Sequence, residues 1–228
     1  MYNPIENVLD SARCKTTSHN GQLHRWKTWD AKTPFAPTFD MPMWLDDIDK
    51  SLLPEIVKVL HENNEGNYRQ IWEKDNLFKW TYPVFDSLKK EISRIYSSYL
   101  SALDIPKTKV WIRAWAVYLP PGEGVKLHCH SFHENTWVSG NISLNTGTTT
   151  DYNVPHFSLF YGPWSVANRP GRVTLFPSWV EHEVQEVSNE RYSIGFDLFS
   201  DETMEYIHKN RNPHNEHQNI ILRSVCLE

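Results

Sequence analysis

From residue 106 onward the chain is cut into short β-rich runs separated by turn clusters, and this punctuation leaves few architectures open. The runs are VWIRAWAVYL (110–119), NTWVSGNISL (135–144), FSLFYG (157–162), RVTLF (172–176), HEVQEV (182–187) and RYSIGFDLF (191–199). Between them lie PPGEG (120–124), NTGTTTDYN (145–153) and NRPG (168–171). Many short strands joined by Pro/Gly turns predict a sandwich or a barrel.

The segment before this half reads differently. Leu52, Leu53, Ile56, Val59 and Leu60 recur at helical spacing over 51–62, and Asn63, Asn64 and Gly66 stop the pattern. Residues 84–100 predict a second helix with Pro83 at its start and one apolar stripe of Phe85, Leu88, Ile92, Ile95, Tyr96 and Tyr99. Such stripes must lie against something, and one face of the sheet is the obvious partner. Residues 1–40 are polar, contain Pro34 and Pro37, and read as an irregular arm, with Trp26 and Trp29 packing part of it on the body. The tail, 201–228, reads as a short helix and a loosely held end. The chain of 228 residues is thus one domain, α+β and mainly β: an arm at 1–40, helical support at 41–105, a β core at 106–200 and a tail.

Composition excludes several roles. Lys plus Arg number 23 and Asp plus Glu 28, a net charge of −5, which argues against a nonspecific partner among nucleic acids or anionic membranes. The three cysteines, Cys14, Cys129 and Cys226, are odd in number and far apart, so a reducing compartment is expected. No run of 18 apolar residues predicts a membrane span, and the first 30 residues lack an apolar signal segment, so the expected location is cytoplasmic.

The chemistry-bearing residues gather in two places. GEGVKLHCHSFHENTWVSG (122–140) carries His128 and His130 one residue apart, a spacing that puts both imidazoles on one face of a strand and turns Cys129 to the other. FPSWVEHEV (176–184) places His182 after a Pro/Trp turn at a strand start, where it could close a facial set of three. Nine residues on, Arg191 and Ser193 share one strand face, while Tyr192, Ile194, Phe196 and Leu198 make an apolar face for the helices. A guanidinium inside a barrel needs an anionic partner. Either a structural Asp or Glu, or a bound carboxylate held with help from Ser193, meets that need.

These motifs resemble the Fe(II)/2-oxoglutarate-dependent oxygenases, specifically a bacterial and phage branch with H-x-H, then S-G, then F-P-S-W/L-x-x-H, then E-R-x-S-x-x-F. The matching residues are His128-Cys129-His130, Ser139-Gly140, Phe176 to His182 and Glu190 to Phe196, and the likeness extends upstream through 76–100 to cover roughly 42–200. The resemblance implies a double-stranded β-helix (jelly roll, cupin-like) and a hydroxylase. It also implies Fe(II) on His128, His130 and His182, and 2-oxoglutarate held by Arg191 and Ser193. With O2, such an enzyme hydroxylates an aliphatic C–H of a small molecule, amino acid or peptide, releasing succinate and CO2 in a bacterial or phage-infected cytosol. Trp115, Trp137 and Tyr118 would line the substrate mouth.

The superfamily's usual iron triad is H-x-D/E plus a distal His, and here His130 stands at the acidic position. Ser139 lies nine positions beyond His130, and a different register brings His133 into its place. A cupin pattern, G-x5-H-x-H-x3-E with a later G-x5-P-x-G-x2-H, also fits, with Gly122, His128, His130 and Glu134, then Gly171, Pro177 and His182, and only Trp179 breaking it. That alternative makes Glu134 a fourth ligand of a metalloenzyme that needs no oxoglutarate. A third alternative is a jelly-roll binding module. Oligomeric state is left open.

Overall fold

The computed structural model describes residues 15–16, 21–28, 33–35, 38–63, 76–130, 136–155, 158 and 162–227. Its strands are β1 (Lys15–Thr16), β2 (Gln22–Lys27), β3 (Asp40–Asp47), β4 (Val110–Leu119), β5 (Val125–His128), β6 (Thr136–Ser143), β7 (Thr149–Tyr152), β8 (Trp164–Ala167), β9 (Arg172–Pro177), β10 (His182–Val184), β11 (Arg191–Ser200) and β12 (Val225–Leu227). Among the described residues the α-helices are α1 (Leu53–Glu62), α2 (Pro83–Ala102), α3 (Asp201–Lys209) and α4 (Glu216–Ile221).

The strands form two antiparallel sheets, as expected for a double-stranded β-helix. The larger runs β1-β2-β3-β9-β6-β11-β4-β12 and the smaller β5-β10-β7-β8. From β4 to β7 and again from β8 to β11 successive strands alternate between the sheets, so β5 pairs with β10 and β6 with both β9 and β11. That crossing pattern brings positions 128 and 182 opposite each other.

Helices α1 and α2 cover the outer face of the larger sheet. Phe85, Leu88, Ile92, Ile95, Tyr96 and Tyr99 of α2 are buried against Ile112, Ala114 and Ala116 of β4 and Ile194, Phe196 and Leu198 of β11. Period two on the strands and period 3.6 on the helix thus meet in one core. Pro83 opens α2, where a missing N–H costs nothing, and Asp104 just beyond its end adopts φ +57°, a left-handed conformation that Asp tolerates better than most residues. Buried Asn76 pins this layer to the sheet: its amide donates to Ile112 O and its carbonyl accepts from Ala114 N and Phe78 N.

Several expectations need correction. The stretch 1–40, expected to be irregular, contributes β1 and β2, and 41–105, expected to be helical, begins inside β3. The only residues β2 buries are Leu23 and Trp26, three apart, so no period-two signal exists to read. In β3, Pro42 breaks the strand pattern, yet it lies where β3 pairs with β2 alone; pairing with β9 begins at Trp44, and a missing N–H is tolerated on that free side. The carbonyl of Pro42 accepts from Tyr99 Oη instead. Thr149–Tyr152, read as turn, is strand β7, and the tail is held at its end by β12 on β4. Most of the expected run 157–162 lies outside the described residues.

Candidate active site

The inner face of the larger sheet is polar along one row. On β11, Arg191, Ser193, Gly195 and Asp197 alternate with the apolar residues turned to α2, and all four line a cavity of about 460 Å³ between the sheets. Register sets their neighbours: Arg191 opposes Leu119, Gly195 opposes Trp115 and Asp197 opposes Arg113 on β4, while Ser139 of β6 opposes Asp197 on the other side. Gly195 is required here, because a Cβ would lie 2.8 Å from the Trp115 indole that crosses it.

The smaller sheet supplies the imidazoles. His128 ends β5 and His182 begins β10 directly opposite it. His130 follows two residues after β5, and its backbone N–H donates to Ser178 O at 2.8 Å, which fixes it beside the F-P-S turn. One ring nitrogen from each of the three lies within 4.8 Å of the others. Each Nδ1 is engaged: His128 with Lys126 O at 2.8 Å, His182 with Val180 O at 3.1 Å and His130 with Asp197 Oδ1 at 2.6 Å. A carbonyl or carboxylate accepts only from an N–H, so Nδ1 holds the proton and Nε2 presents its lone pair. His130 Nε2 and His128 Nε2 stand 3.2 Å apart.

Electrostatics favour neutral donors at two of the three. Burial, then the neighbouring imidazoles, pushes His182 far below the ordinary imidazole range. Burial and then His130 also lower His128. Burial opposes a charge on His130 too, but the Asp197 carboxylate, by charge and hydrogen bond, leaves its pKa raised. Three inward imidazoles with tied Nδ1 atoms and adjacent Nε2 atoms match the donor set of a transition metal. The site therefore fits a transition-metal ion, iron among them.

Arg191 is the second feature. It is 3% exposed, and its Nη2 donates to Thr150 Oγ1 at 2.9 Å. Its Nε, equally buried, has no hydrogen-bond partner. No carboxylate within 4.0 Å pairs with it among the described residues, and burial pulls its pKa down to about 10. The structural Asp or Glu that the sequence left open as its partner is thus not found there. A buried, incompletely bonded guanidinium facing a cavity is a seat for an anion.

Ser193 shares the cavity wall with Arg191. Cys129 is exposed at the cavity rim and outside the group of convergent ligand atoms. His133 and Glu134 lie outside the described residues. Trp115 and Tyr118 line the cavity, but Trp137 does not. A bulge in the β6–β11 pairing between Leu198 and Phe199 turns Trp137 outward, where its Nε1 donates to Tyr96 Oη at 2.7 Å. Thr150 and Asp197 were not among the expected site residues. Asp197 could have been found by continuing the alternation of Arg191 and Ser193 two steps further; Thr150 sat in a stretch read as turn and gave no signal.

No family model and no curated protein sequence matches this chain. Solved structures do. A Pseudomonas putida prolyl-4-hydroxylase superposes with TM-score 0.51 at 16% identity, covering 87% of this chain and 96% of that one. The α-ketoglutarate-dependent non-heme epimerase SnoN from nogalamycin biosynthesis gives 0.51 at 10% identity, covering 68% and 77%. HygX from Streptomyces hygroscopicus, solved with nickel and 2-oxoglutarate, gives 0.50 at 13% identity, covering 70% and 82%. The chain therefore has the double-stranded β-helix fold of the Fe/2-oxoglutarate oxygenases.

Proposed function

We propose that this protein is an Fe(II)- and 2-oxoglutarate-dependent oxygenase that hydroxylates an aliphatic C–H of a small molecule, amino acid or peptide. The observation that carries this reading is the pairing of two features on one cavity: three imidazoles with adjacent ligand atoms, and a buried guanidinium with no carboxylate beside it among the described residues. A metal site alone fits a cupin enzyme equally well. Arg191 separates the two, because a dicarboxylate co-substrate requires an anion seat and a cupin does not.

His128, His130 and His182 would hold the iron, and Arg191 with Ser193 and Thr150 would hold the far carboxylate of 2-oxoglutarate. Iron, 2-oxoglutarate and O2 together supply the oxidant for hydroxylation, with succinate and CO2 released. The chain's own part is orientation and exclusion of water. His128 and His182 are fixed by backbone carbonyls, and His130 by Asp197. Arg191, six residues from Asp197 on β11, sets the direction in which the co-substrate extends. Trp115, Val117, Leu119, Val125 and Val184 make the wall between them apolar, which strengthens every charged contact inside.

No helix among the described residues is long and apolar enough to cross a membrane. A cytosolic setting suits a ferrous enzyme with free thiols at Cys129 and Cys226.

The test is anaerobic addition of Fe(II) and 2-oxoglutarate. The expected result is a weak visible charge-transfer band that requires both components and disappears in Arg191→Ala. A band that forms without 2-oxoglutarate, or that survives the substitution, would overturn the assignment.

A further inference from the structure

The three imidazoles bring no negative charge to a divalent cation, whereas the H-x-D/E pattern would place a carboxylate at position 130. The missing charge is present one step further out. Asp197 is 4% exposed, and its Oδ1 accepts from His130 Nδ1 at 2.6 Å and from Ser139 Oγ at 2.6 Å. We propose that Asp197 is the positioning residue of this metal centre, supplying through His130 the anionic character that a ligating carboxylate would otherwise provide. The inference rests on the metal-binding reading of the three histidines.

The Asp197 charge also faces buried Arg113, its register partner on β4, while its Oδ1 is tied to His130 and Ser139. On β6 the neighbour in register is Ser139, whose single hydroxyl proton goes to the carboxylate. The Ser178 hydroxyl lies 2.9 Å from Ser139 Oγ and so must donate to it, while the Ser178 carbonyl holds the His130 backbone N–H. Ser139 and Ser178 belong to the S-G and F-P-S motifs, so each motif sends its serine to the Asp197–His130 pair, while Gly140 and Phe176 line the cavity. Gly140, beside Ser139, is small because a Cβ would strike the Phe196 ring that packs the other face.

The three histidines are also unequal. His128 and His182 lean on neutral backbone carbonyls, and His130 alone leans on a carboxylate. A hydrogen bond to a carboxylate raises the basicity of the ligating nitrogen more than one to a carbonyl, and it locks the ring orientation. Burial keeps solvent ions from screening that charge. Charge therefore reaches the cation along one ligand only.

The test uses the full chain, freed of metal and titrated with Co(II) alone, reading dissociation constant and visible ligand-field bands. Asp197→Asn keeps an Oδ1 able to accept both hydrogen bonds and removes the charge. It should weaken Co(II) binding about 10–100-fold and shift the bands. His130→Asp should bind poorly, because two carboxylates then face each other; His130→Asp with Asp197→Asn should bind more tightly than His130→Asp alone. If Asp197→Asn melts lower without metal but binds Co(II) with wild-type affinity and an unchanged spectrum, Asp197 is a structural partner only and the proposal fails. It fails equally if the double variant binds no better than His130→Asp. A wild-type chain that binds no Co(II) overturns the metal centre itself, a result distinct from either of these.

Discussion

Replacing Arg191 with methionine should make the ligand-free protein more stable while destroying its anion site. The guanidinium is 3% exposed, and burial pulls its pKa down to about 10, more than two pH units below its ordinary value. At pH 7 the group is protonated both folded and unfolded, so the depressed value is a free-energy cost carried by the folded state. That cost is fully present at neutral pH and fades only above about pH 10. At about 1.36 kcal/mol per pH unit it amounts to ~3 kcal/mol. Methionine has similar length and flexibility and no charge to desolvate. The lost hydrogen bond to Thr150 offsets about 1 kcal/mol of the gain. A net stabilisation of ~2 kcal/mol corresponds to a melting point higher by ~4–8 °C for a chain of this size. Calorimetry in the presence of a chelator and without 2-oxoglutarate measures it. With Fe(II) already present in both proteins, added 2-oxoglutarate should then raise the melting point of the wild type further and leave that of Arg191→Met nearly where it was. A variant that melts at or below the wild type without ligand would refute the claim that Arg191 is held in the fold at a cost. A variant still stabilised by 2-oxoglutarate would refute its role as the anion seat.

Two further substitutions probe the frame around the site. Gly195→Ala sets a methyl 2.8 Å from the rigid Trp115 indole and should destabilise the fold by ~1–3 kcal/mol in urea denaturation; a change within ~0.5 kcal/mol would mean that the ring moves freely. Cys129→Ser should leave Co(II) affinity unchanged, because the thiol lies at the exposed rim, and a large loss would show that sulfur reaches the metal.

Much of the site was legible from local pattern. Period two on RYSIGFDLF separated Arg191 and Ser193 from the apolar residues that meet α2, and the pleat enforces that separation whatever the rest of the chain does. The stripe on α2 was readable for the same reason at period 3.6. The H-x-H spacing marked two histidines as a pair, although His130 achieves its position by leaving β5 and bonding Ser178, not by strand alternation alone.

What local pattern could not carry was long-range register. Strands β2, β7 and β12 are short or lack clean alternation, so they are strands only because a neighbour offers its free edge. Trp137 faces the helices because of a bulge against β11, a feature of pairing and not of composition. The contact between His130 and Asp197 spans 67 residues, and that between Arg191 and Thr150 spans 41. Neither partner's identity is implied by its neighbours in the chain. On β11 and α2 the residue types and their faces were therefore determined by the sequence alone. Which acid supports which histidine, and that Arg191 is left without one among the described residues, was decided by the order in which two sheets stack their strands.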